Sequence, residues 1–236
     1  MALNKKLFNT ASEDTITPSQ HFQTVLYEGT GSTQKVGSYI NEGGVFNGSN
    51  GIVTLPNSIT LGLGAFGVSF FVHNENLTGQ NIFFYFNNAA QFGVEVESSG
   101  NQRILFANSS GDMTFNISNN FTTNTWQHFV LTGDSSNGLK AYIDGTEVGS
   151  SSWDGTHFAA SGSNTIGHNS SSLDGKIDQF RFFNRYLTTS EISALGAETF
   201  NSATKSTTDI FADRSAIALY QFENSAKDTG GVSGYY

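Results

Sequence analysis

The sequence predicts an all-β fold, an antiparallel sandwich of two sheets, with one short helix near 188–196. From residue 41 onward, short apolar segments recur at regular spacing between clusters of Gly, Asn and Ser, which is typical of a sandwich. Aromatic residues make up 13% of the chain, and its 21 phenylalanines can fill the space between two sheets. A chain of 236 residues is long enough for one large domain of this kind with extensions.

The strands are predicted from the positions of the apolar residues, since successive side chains of a strand point to opposite faces. Over 66–72 this alternation places four apolar residues on one face, which we expect to point inward: Phe66, Val68, Phe70 and Val72. Over 92–97 it places Glu95 and Glu97 on the solvent face. The other predicted strands before the hairpin cover 22–27, 51–55, 82–86, 103–107, 113–117 and 126–132.

Two local signals predict a hairpin and a helix. Asp144–Gly145 lies between two apolar-bearing segments and is a pair preferred in two-residue type I′ turns, because both central residues need positive φ. Thr188 and Glu191 have the spacing of a capping box, in which each side chain binds the backbone N–H of the other residue. Gly196 is expected to adopt positive φ where the helix stops.

The charge and composition of the chain argue against several kinds of partner. Its net charge is −9, so no basic surface is available to neutralise phosphates and we expect no nucleic-acid partner. It has no cysteine, which excludes disulfides and Cys-ligated zinc. The first 14 residues contain no apolar stretch long enough for a signal peptide, and the longest apolar runs elsewhere are too short for a membrane span. We therefore expect no membrane insertion.

Four blocks of the chain carry a resemblance to a known family. The segments 43–58, 126–148, 164–169 and 173–195 resemble, in order, the laminin-G-like, concanavalin A-like jelly-roll family. The resemblance implies a jelly-roll domain over 41–199, between an N-terminal extension (1–40) and a C-terminal extension (200–236). The latter has a predicted strand at about 217–224, which either completes the sheet or begins a second repeat. Lectins, adhesion modules, glycosidases and virion proteins all use this fold, so the fold alone does not determine the function.

The N-terminal extension carries a second resemblance. Residues 7–36 resemble the start of structural proteins from marine, cyanophage-like tailed phages; the alternative is an ordinary N-terminal strand that follows a flexible leader. Together with the polar, low-charge composition, this predicts a non-catalytic virion surface protein: a capsid decoration, tail fibre or spike. It would be made in the host cytoplasm, exposed on the particle, homo-oligomeric, and in contact with other virion proteins and host-surface glycans. The alternative is a carbohydrate-binding or adhesion module of a bacterial surface protein.

No catalytic residues are predicted. The family that this chain resembles has an enzymatic branch, whose members carry Glu-x-Asp-x-x-Glu on one strand. Nothing in the chain matches that motif. Glu95 and Glu97 share a face but lack the other carboxylates, so a solvated strand face is the favoured interpretation. A glycoside hydrolase that uses Glu95 and Glu97 as an unfamiliar pair is a third hypothesis.

A polar loop suggests a glycan site. Trp153 lies beside Asp154 and His157, and an indole ring can stack on the apolar face of a sugar while polar neighbours orient its hydroxyls. The competing interpretation is that Trp153 anchors its own loop to the sandwich.

Calcium is the cofactor that the resemblance allows, since relatives often hold it with carboxylates and loop carbonyls. The candidate ligands are Asp134, Asp154 and Asp174, but no Asp-x-Asp-x-Asp-Gly run defines a site, and turn-capping roles are the alternative.

Four further residues are predicted to be structural. Asp178 matches a family position that is usually internal, so we expect it to accept hydrogen bonds or to pair with Arg181 or Arg185. Trp126, at the start of its strand, is predicted to be a packed core aromatic.

Overall fold

The computed structural model describes residues 34–35, 44–55, 64–78, 81–85, 92–96, 102–108, 111–117, 120–155, 164–168, 170–197, 199–200, 210–220 and 222. The strand predicted over 22–27 and almost all of the N-terminal extension lie outside these residues.

Within the described residues the chain forms fifteen strands and one helix, α1. The strands are β1 (Gln34–Lys35), β2 (Gly44–Asn47), β3 (Ile52–Leu55), β4 (Ala65–Asn76), β5 (Phe84–Tyr85), β6 (Phe92–Val96), β7 (Gln102–Asn108), β8 (Gly111–Asn116), β9 (Trp126–Asp134), β10 (Gly138–Ile143), β11 (Thr146–Ser151), β12 (Asn164–Gly167), β13 (Asp174–Phe183), β14 (Thr199–Phe200) and β15 (Ala216–Tyr220). Helix α1 (Thr189–Gly196) lies between β13 and β14. It is too short to cross a membrane, and the part of the chain that the structure describes holds no longer helix that could.

The described strands pair antiparallel throughout and build two layers. One layer is a seven-stranded sheet in the order β11-β10-β9-β4-β13-β15, with β2 also paired to β13. The opposite layer consists of two three-stranded sheets, β3-β12-β5 and β6-β7-β8. The short strands β1 and β14 pair with each other. The predicted all-β antiparallel sandwich with one short helix is confirmed.

Aromatic rings fill the space between the two layers. Phe70 of β4 lies at the centre, fully buried. It is stacked on Phe180 at 4.9 Å between ring centroids, and meets Phe84 of the opposite layer edge-on at 6.1 Å. The four residues predicted to face inward, Phe66, Val68, Phe70 and Val72, all belong to this core and are 0% exposed. Strand alternation therefore located this part of the core correctly.

The outer face of the seven-stranded sheet is covered as well. Ile192 and Leu195 of α1 pack on Val130, Tyr142 and Phe183 in a second apolar cluster. Because this second cover exists, β9 and β13 are buried on both faces, and nearly all of their residues are buried, including polar ones.

The helix begins as predicted. Thr188 is the N-cap: its side chain accepts a hydrogen bond from the Glu191 N–H, and its own N–H donates to Glu191 Oε2 at 2.8 Å. The predicted role of Gly196 is wrong. The helix runs through Gly196 to a C-cap at Ala197, whose φ is −95°. Gly196 instead lets the helix end approach the sheet, because a Cβ there would lie 2.9 Å from His128 Nδ1.

The strand predicted near 217–224 completes a sheet. It is β15, over Ala216–Tyr220, and it pairs with the Phe180–Phe183 half of β13. Strand β2 pairs with the other half, from Asp174 to Ile177. Between the two halves β13 bulges, since its register against β4 shifts between Asp178 and Arg181.

Candidate functional site

A cleft of about 560 Å³ opens between the outer face of the seven-stranded sheet and the C-terminal end of α1. Ligand pockets typically measure roughly 300–1,000 Å³, so this volume suits a small molecule or a short oligosaccharide. The described residues that line it are Phe71, Thr125, Trp126, His128, Asp144, Gly145, Ile192, Ser193, Gly196 and Ala197.

Aromatic rings form the floor of the cleft. Phe71 and His128 lie on neighbouring strands with ring centroids 4.9 Å apart, and both are nearly buried. Trp126 lies at the start of β9, packed against His73 at 5.4 Å. It is only partly buried and lines the cleft. The floor thus combines a buried ring pair with one accessible indole.

The prediction that Trp126 is a core residue is wrong, and strand parity explains why. Phe129 and Leu131 of β9 point into the core between the layers. Trp126 has the opposite parity, so its side chain emerges on the outer face, where it meets His73 of the neighbouring strand.

The predicted hairpin turn forms one wall. Asp144 and Gly145 have φ values of +51° and +80°, as a type I′ turn requires. Asp144 also fixes the hairpin to the cleft: its Oδ1 accepts from the His128 N–H at 2.9 Å, and its own N–H donates to the His128 carbonyl at 2.8 Å. The His128 N–H therefore holds the Asp144 carboxylate at the rim of the cleft.

His128 links the sheet, the hairpin and the helix. Its Nε2 lies 2.8 Å from Ser69 Oγ, and its backbone is bound to Asp144. Gly196 of α1 lies directly over the ring. The ring is 3% exposed, so it shapes the floor of the cleft.

A charged network anchors the first turn of α1, the helix whose last turn lines the cleft. Arg185 binds Glu191 of α1 at 2.7 Å and Asp213 at 2.6 Å, and its guanidinium lies 5.4 Å from the centroid of the Phe211 ring. Burial alone would raise the pKa of Glu191, but hydrogen bonds from Arg185 and Thr188 outweigh it and lower the pKa below its ordinary value. Burial likewise acts to raise the pKa of Asp213, but hydrogen bonds from Ser215 and Arg185 outweigh it and lower the pKa below its ordinary value.

This network predicts a pH dependence of stability. A carboxylate whose folded pKa is lowered stabilises the fold above its unfolded pKa, and this contribution is lost as the pH falls through the folded pKa. We expect Arg185→Gln to lower the free energy of unfolding by about 1–2 kcal/mol at pH 7. Below about pH 4 the difference from wild type should shrink, because the partner carboxylates become protonated. Urea unfolding at pH 7 and pH 3 measures both values.

The hairpin offers the matched control. Lys140 and Glu147 form a more exposed pair at 3.4 Å, which includes no residue of the helix. Lys140→Gln should cost less than about 0.5 kcal/mol at either pH. An Arg185→Gln deficit equally large at pH 3 and pH 7 would show that the ion pairs are not its source.

Trp153 does not offer a stacking face for a sugar. Its indole is 5% exposed and meets Phe66 edge-on, with 5.4 Å between centroids. Gly133 makes room for it, since a Cβ there would lie 2.9 Å from the indole. The structure supports the competing interpretation, in which Trp153 anchors its loop. Asp154 is exposed beside it, and His157 lies outside the described residues.

The three candidate calcium ligands do not form one site. Asp134 pairs with Ala65 and Asp174 with Asn76, at opposite ends of the 12-residue strand β4, roughly 35 Å apart. Asp154 lies at the Asp134 end, because Gly155 packs against Ser135. No group of three His, Cys, Asp or Glu side chains that could hold a metal occurs among the described residues.

Asp134 has the turn-capping role that was the alternative. Its Oδ1 accepts from the N–H groups of Ser136 at 2.8 Å and Asn137 at 2.6 Å. Burial acts to raise the pKa of Asp134, but hydrogen bonds from Asn137 and Ser136 outweigh it and lower the pKa.

Asp178 is internal, as expected, and 1% exposed. Its Oδ1 accepts from the Gln179 N–H at 2.5 Å, within the β13 bulge where Gln179 has φ +50°. Pairing of Asp178 with Arg185 is wrong, because Arg185 binds Glu191 and Asp213 instead. Arg181 is equally buried, and its pairing with Asp178 stays a prediction.

Residues 47–193, more than half of the chain, match the Laminin_G_3 family, described as the concanavalin A-like lectin/glucanases superfamily. The chain belongs to this superfamily. No curated protein sequence matches it.

Several solved structures are similar in fold to this member of the concanavalin A-like superfamily. Domain 4 of AbnA, a GH43 extracellular arabinanase from Geobacillus stearothermophilus solved with arabinotriose, is 25% identical, with a TM-score of 0.54 over 65% of this chain and 75% of that one. A putative carbohydrate-binding protein from Bacteroides ovatus is 15% identical, with a TM-score of 0.56 over 78% and 53%. The CBM40 of the Ruminococcus gnavus IT-sialidase, bound to sialyllactose, is 9% identical, with a TM-score of 0.54 over 70% and 98%.

Sequence reasoning missed the cleft of this superfamily member. The structure brings Phe71, Trp126, His128 and Asp144 together from two strands and a turn. Strand alternation in β9 could have indicated the cleft, because it puts Trp126 and His128 on the face opposite Phe129. The sequence alone does not show which of these two faces is the core. Of the hypothetical catalytic pair, Glu97 lies outside the described residues, and Glu95 is placed only as part of β6.

Proposed function

We propose that the protein is a non-catalytic glycan-binding protein on the surface of a tailed-phage virion, and that it holds its ligand in the cleft beside α1. The observation that carries the glycan-binding part is the position of Trp126. It is the partly exposed aromatic ring of a cleft of about 560 Å³ whose other rings are buried.

The chemistry of the cleft suits a sugar. One face of a pyranose or furanose ring is apolar and stacks on an indole, while its hydroxyls need placed polar groups. Around Trp126 the lining supplies the side chains of Thr125, Asp144 and Ser193. This combination of one accessible ring and several short polar groups is what a saccharide requires.

Two further points support this function. The arabinanase domain, 25% identical to this chain, was solved in complex with arabinotriose. A glycosidase needs two carboxyl groups flanking the scissile bond, whereas the described lining of the cleft supplies one, from Asp144. Binding without hydrolysis is the activity that these residues favour.

Replacing Trp126 tests the site. We expect Trp126→Ala to weaken binding of arabinotriose, the first probe of an oligosaccharide panel, at least tenfold, about 1.4 kcal/mol, because the stacking face is lost. Isothermal titration calorimetry measures the dissociation constant. Trp153→Phe is the matched control: it alters the buried tryptophan outside the lining and should leave affinity within about twofold.

Two results would contradict this assignment. If Trp126→Ala binds like wild type, the ligand sits elsewhere. If neither arabinotriose nor any other oligosaccharide of the panel binds, the protein is not a glycan binder.

The virion role rests on the resemblance of residues 7–36 to phage structural proteins. In this proposal residues 1–40 dock a homo-oligomer onto the capsid or tail, and the sandwich faces outward toward host glycans. Mass spectrometry of purified particles should detect the chain. Its absence from particles would favour the second candidate, an adhesion module of a bacterial surface protein, which the glycan-binding cleft fits equally well.

A further inference from the structure

We propose that the cleft selects uncharged saccharides and rejects those that carry carboxylate groups. This inference rests on the proposed function and specifies the class of ligand that the same site takes. Three features of the cleft carry it: the charge of its lining, the orientation of α1, and the kind of hydrogen-bonding groups it presents.

The formal charge of the lining is negative. Asp144 is its one acidic residue, and none of the described lining residues is Lys or Arg. Lys176 of β13 lies three strands from the Asp144 turn in the sheet order, so the two backbones are roughly 14 Å or more apart. Lys140 lies four residues before Asp144 on β10, roughly 13 Å along the strand, and it is paired with Glu147 at 3.4 Å. Both distances exceed a Debye length at physiological salt, so neither lysine offsets much of the Asp144 charge.

The helix adds to this negative potential. Helix α1 ends at the cleft, since Ser193, Gly196 and Ala197 all line it. The C-terminal end of a helix carries the negative end of the macrodipole, equivalent to roughly half an elementary charge. The last turn of α1 contains no basic residue that would neutralise it. An anionic ligand would face this end of the helix and the Asp144 carboxylate together.

The polar groups of the cleft mainly accept hydrogen bonds. A carboxylate accepts only. The last four carbonyls of a helix lack partners within it, and at the end of α1 the Ala197 N–H donates to two of them, those of Ser193 and Leu195. His128 offers little in return, because it is nearly buried and its Nε2 lies against Ser69 Oγ. The hydroxyls of Thr125 and Ser193 can donate or accept, whereas the Asp144 carboxylate requires a donor from the ligand, which sugar hydroxyls supply. A carboxylate brings only acceptors, so it could bind the lining hydroxyls but would face Asp144 without a hydrogen bond.

A matched pair of ligands tests the selection. The probes are arabinotriose and the same trisaccharide with its primary hydroxyls oxidised to carboxylates, titrated calorimetrically into the intact protein at pH 8, where an ordinary histidine is neutral. We expect the oxidised probe to bind at least tenfold more weakly in low salt. The difference should narrow as salt is added, because salt screens the repulsion.

A variant of Asp144 identifies the charge responsible. Asp144→Asn keeps the turn, since Asn-Gly is favoured in type I′ turns and its Oδ1 can still accept from the His128 N–H. We expect the affinity ratio between the neutral and the oxidised probe to fall roughly threefold to tenfold. Glu147→Gln is the control: it removes a negative charge from the same hairpin outside the described lining and should leave the ratio unchanged.

The outcomes separate the two claims. Equal binding of both probes, or an unchanged ratio in Asp144→Asn, overturns the charge selection and leaves glycan binding intact. Failure of both probes and of the oligosaccharide panel to bind overturns the proposed function and this inference with it. Unchanged thermal unfolding of Asp144→Asn would show that its altered ratio does not come from a disturbed fold.

Discussion

Replacing Phe70 with alanine should lower the free energy of unfolding by about 3–5 kcal/mol. The ring is 0% exposed, and its removal would leave a cavity at the centre of the core. It contacts rings from both layers of the sandwich, so no single element can move to close the gap: Phe83, Phe84, Phe129 and Phe180.

Urea unfolding followed by fluorescence or circular dichroism measures this loss. Val45→Ala is the control, because Val45 is 73% exposed on β2 and its truncation should change the free energy by less than about 0.5 kcal/mol. A Phe70→Ala protein as stable as the Val45→Ala protein would contradict the packing of the two layers described above.

The second large effect is expected at Thr132, which is buried between the sheet and the segment that leads into α1. Its hydroxyl donates to the Phe66 carbonyl at 2.8 Å and accepts from the Leu187 N–H at 2.8 Å. Thr132→Val keeps the shape but leaves two buried backbone groups without this partner. We expect a loss of about 2–4 kcal/mol, since each buried unsatisfied group costs about 1–3 kcal/mol.

Thr132→Ser separates the hydrogen bonds from the packing. It keeps the hydroxyl and loses one methyl group, so it should cost about 1 kcal/mol. The same unfolding measurement compares the two variants. If Thr132→Ser were as damaging as Thr132→Val, the methyl group, and not the two hydrogen bonds, would be the source of stability.

Local patterns predicted the parts of the fold that depend on local physics. The inward face of β4, including Phe70, followed from alternation. The turn at Asp144–Gly145 followed from the requirement for positive φ, and the helix start at Thr188 from capping chemistry. Each of these signals lies within a few residues of the chain, so one sequence contains all the information.

The two tryptophans show where such patterns fail. Trp126 was expected in the core and lines the cleft, whereas Trp153, the predicted sugar platform, is buried against Phe66. Strand β9 is buried on both faces because α1 covers its outer side, so alternation cannot say which face is the core. For Trp153, the space over Gly133 exists only once the strands have paired.

The sequence alone also could not identify ion-pair partners that lie far apart in the chain. Arg185 was considered as a partner of Asp178, seven residues away. Its actual partners include Asp213, 28 residues further along the chain and beyond the helix. Nothing in the local sequence around Arg185 distinguishes one acidic residue from the other.

The divided edge of β13 bears on the smallest unit that can fold. Strands β2 and β15 lie end to end along that edge, one from Gly44–Asn47 and the other from Ala216–Tyr220. A fragment cut to the family match, 47–193, would lack all of β15 and nearly all of β2. The edge of β13 would then expose a row of unpaired backbone N–H and C=O groups, to which strands of other chains could pair. An autonomous fragment therefore has to begin at least three residues before the recognisable family segment and end at least 27 residues after it.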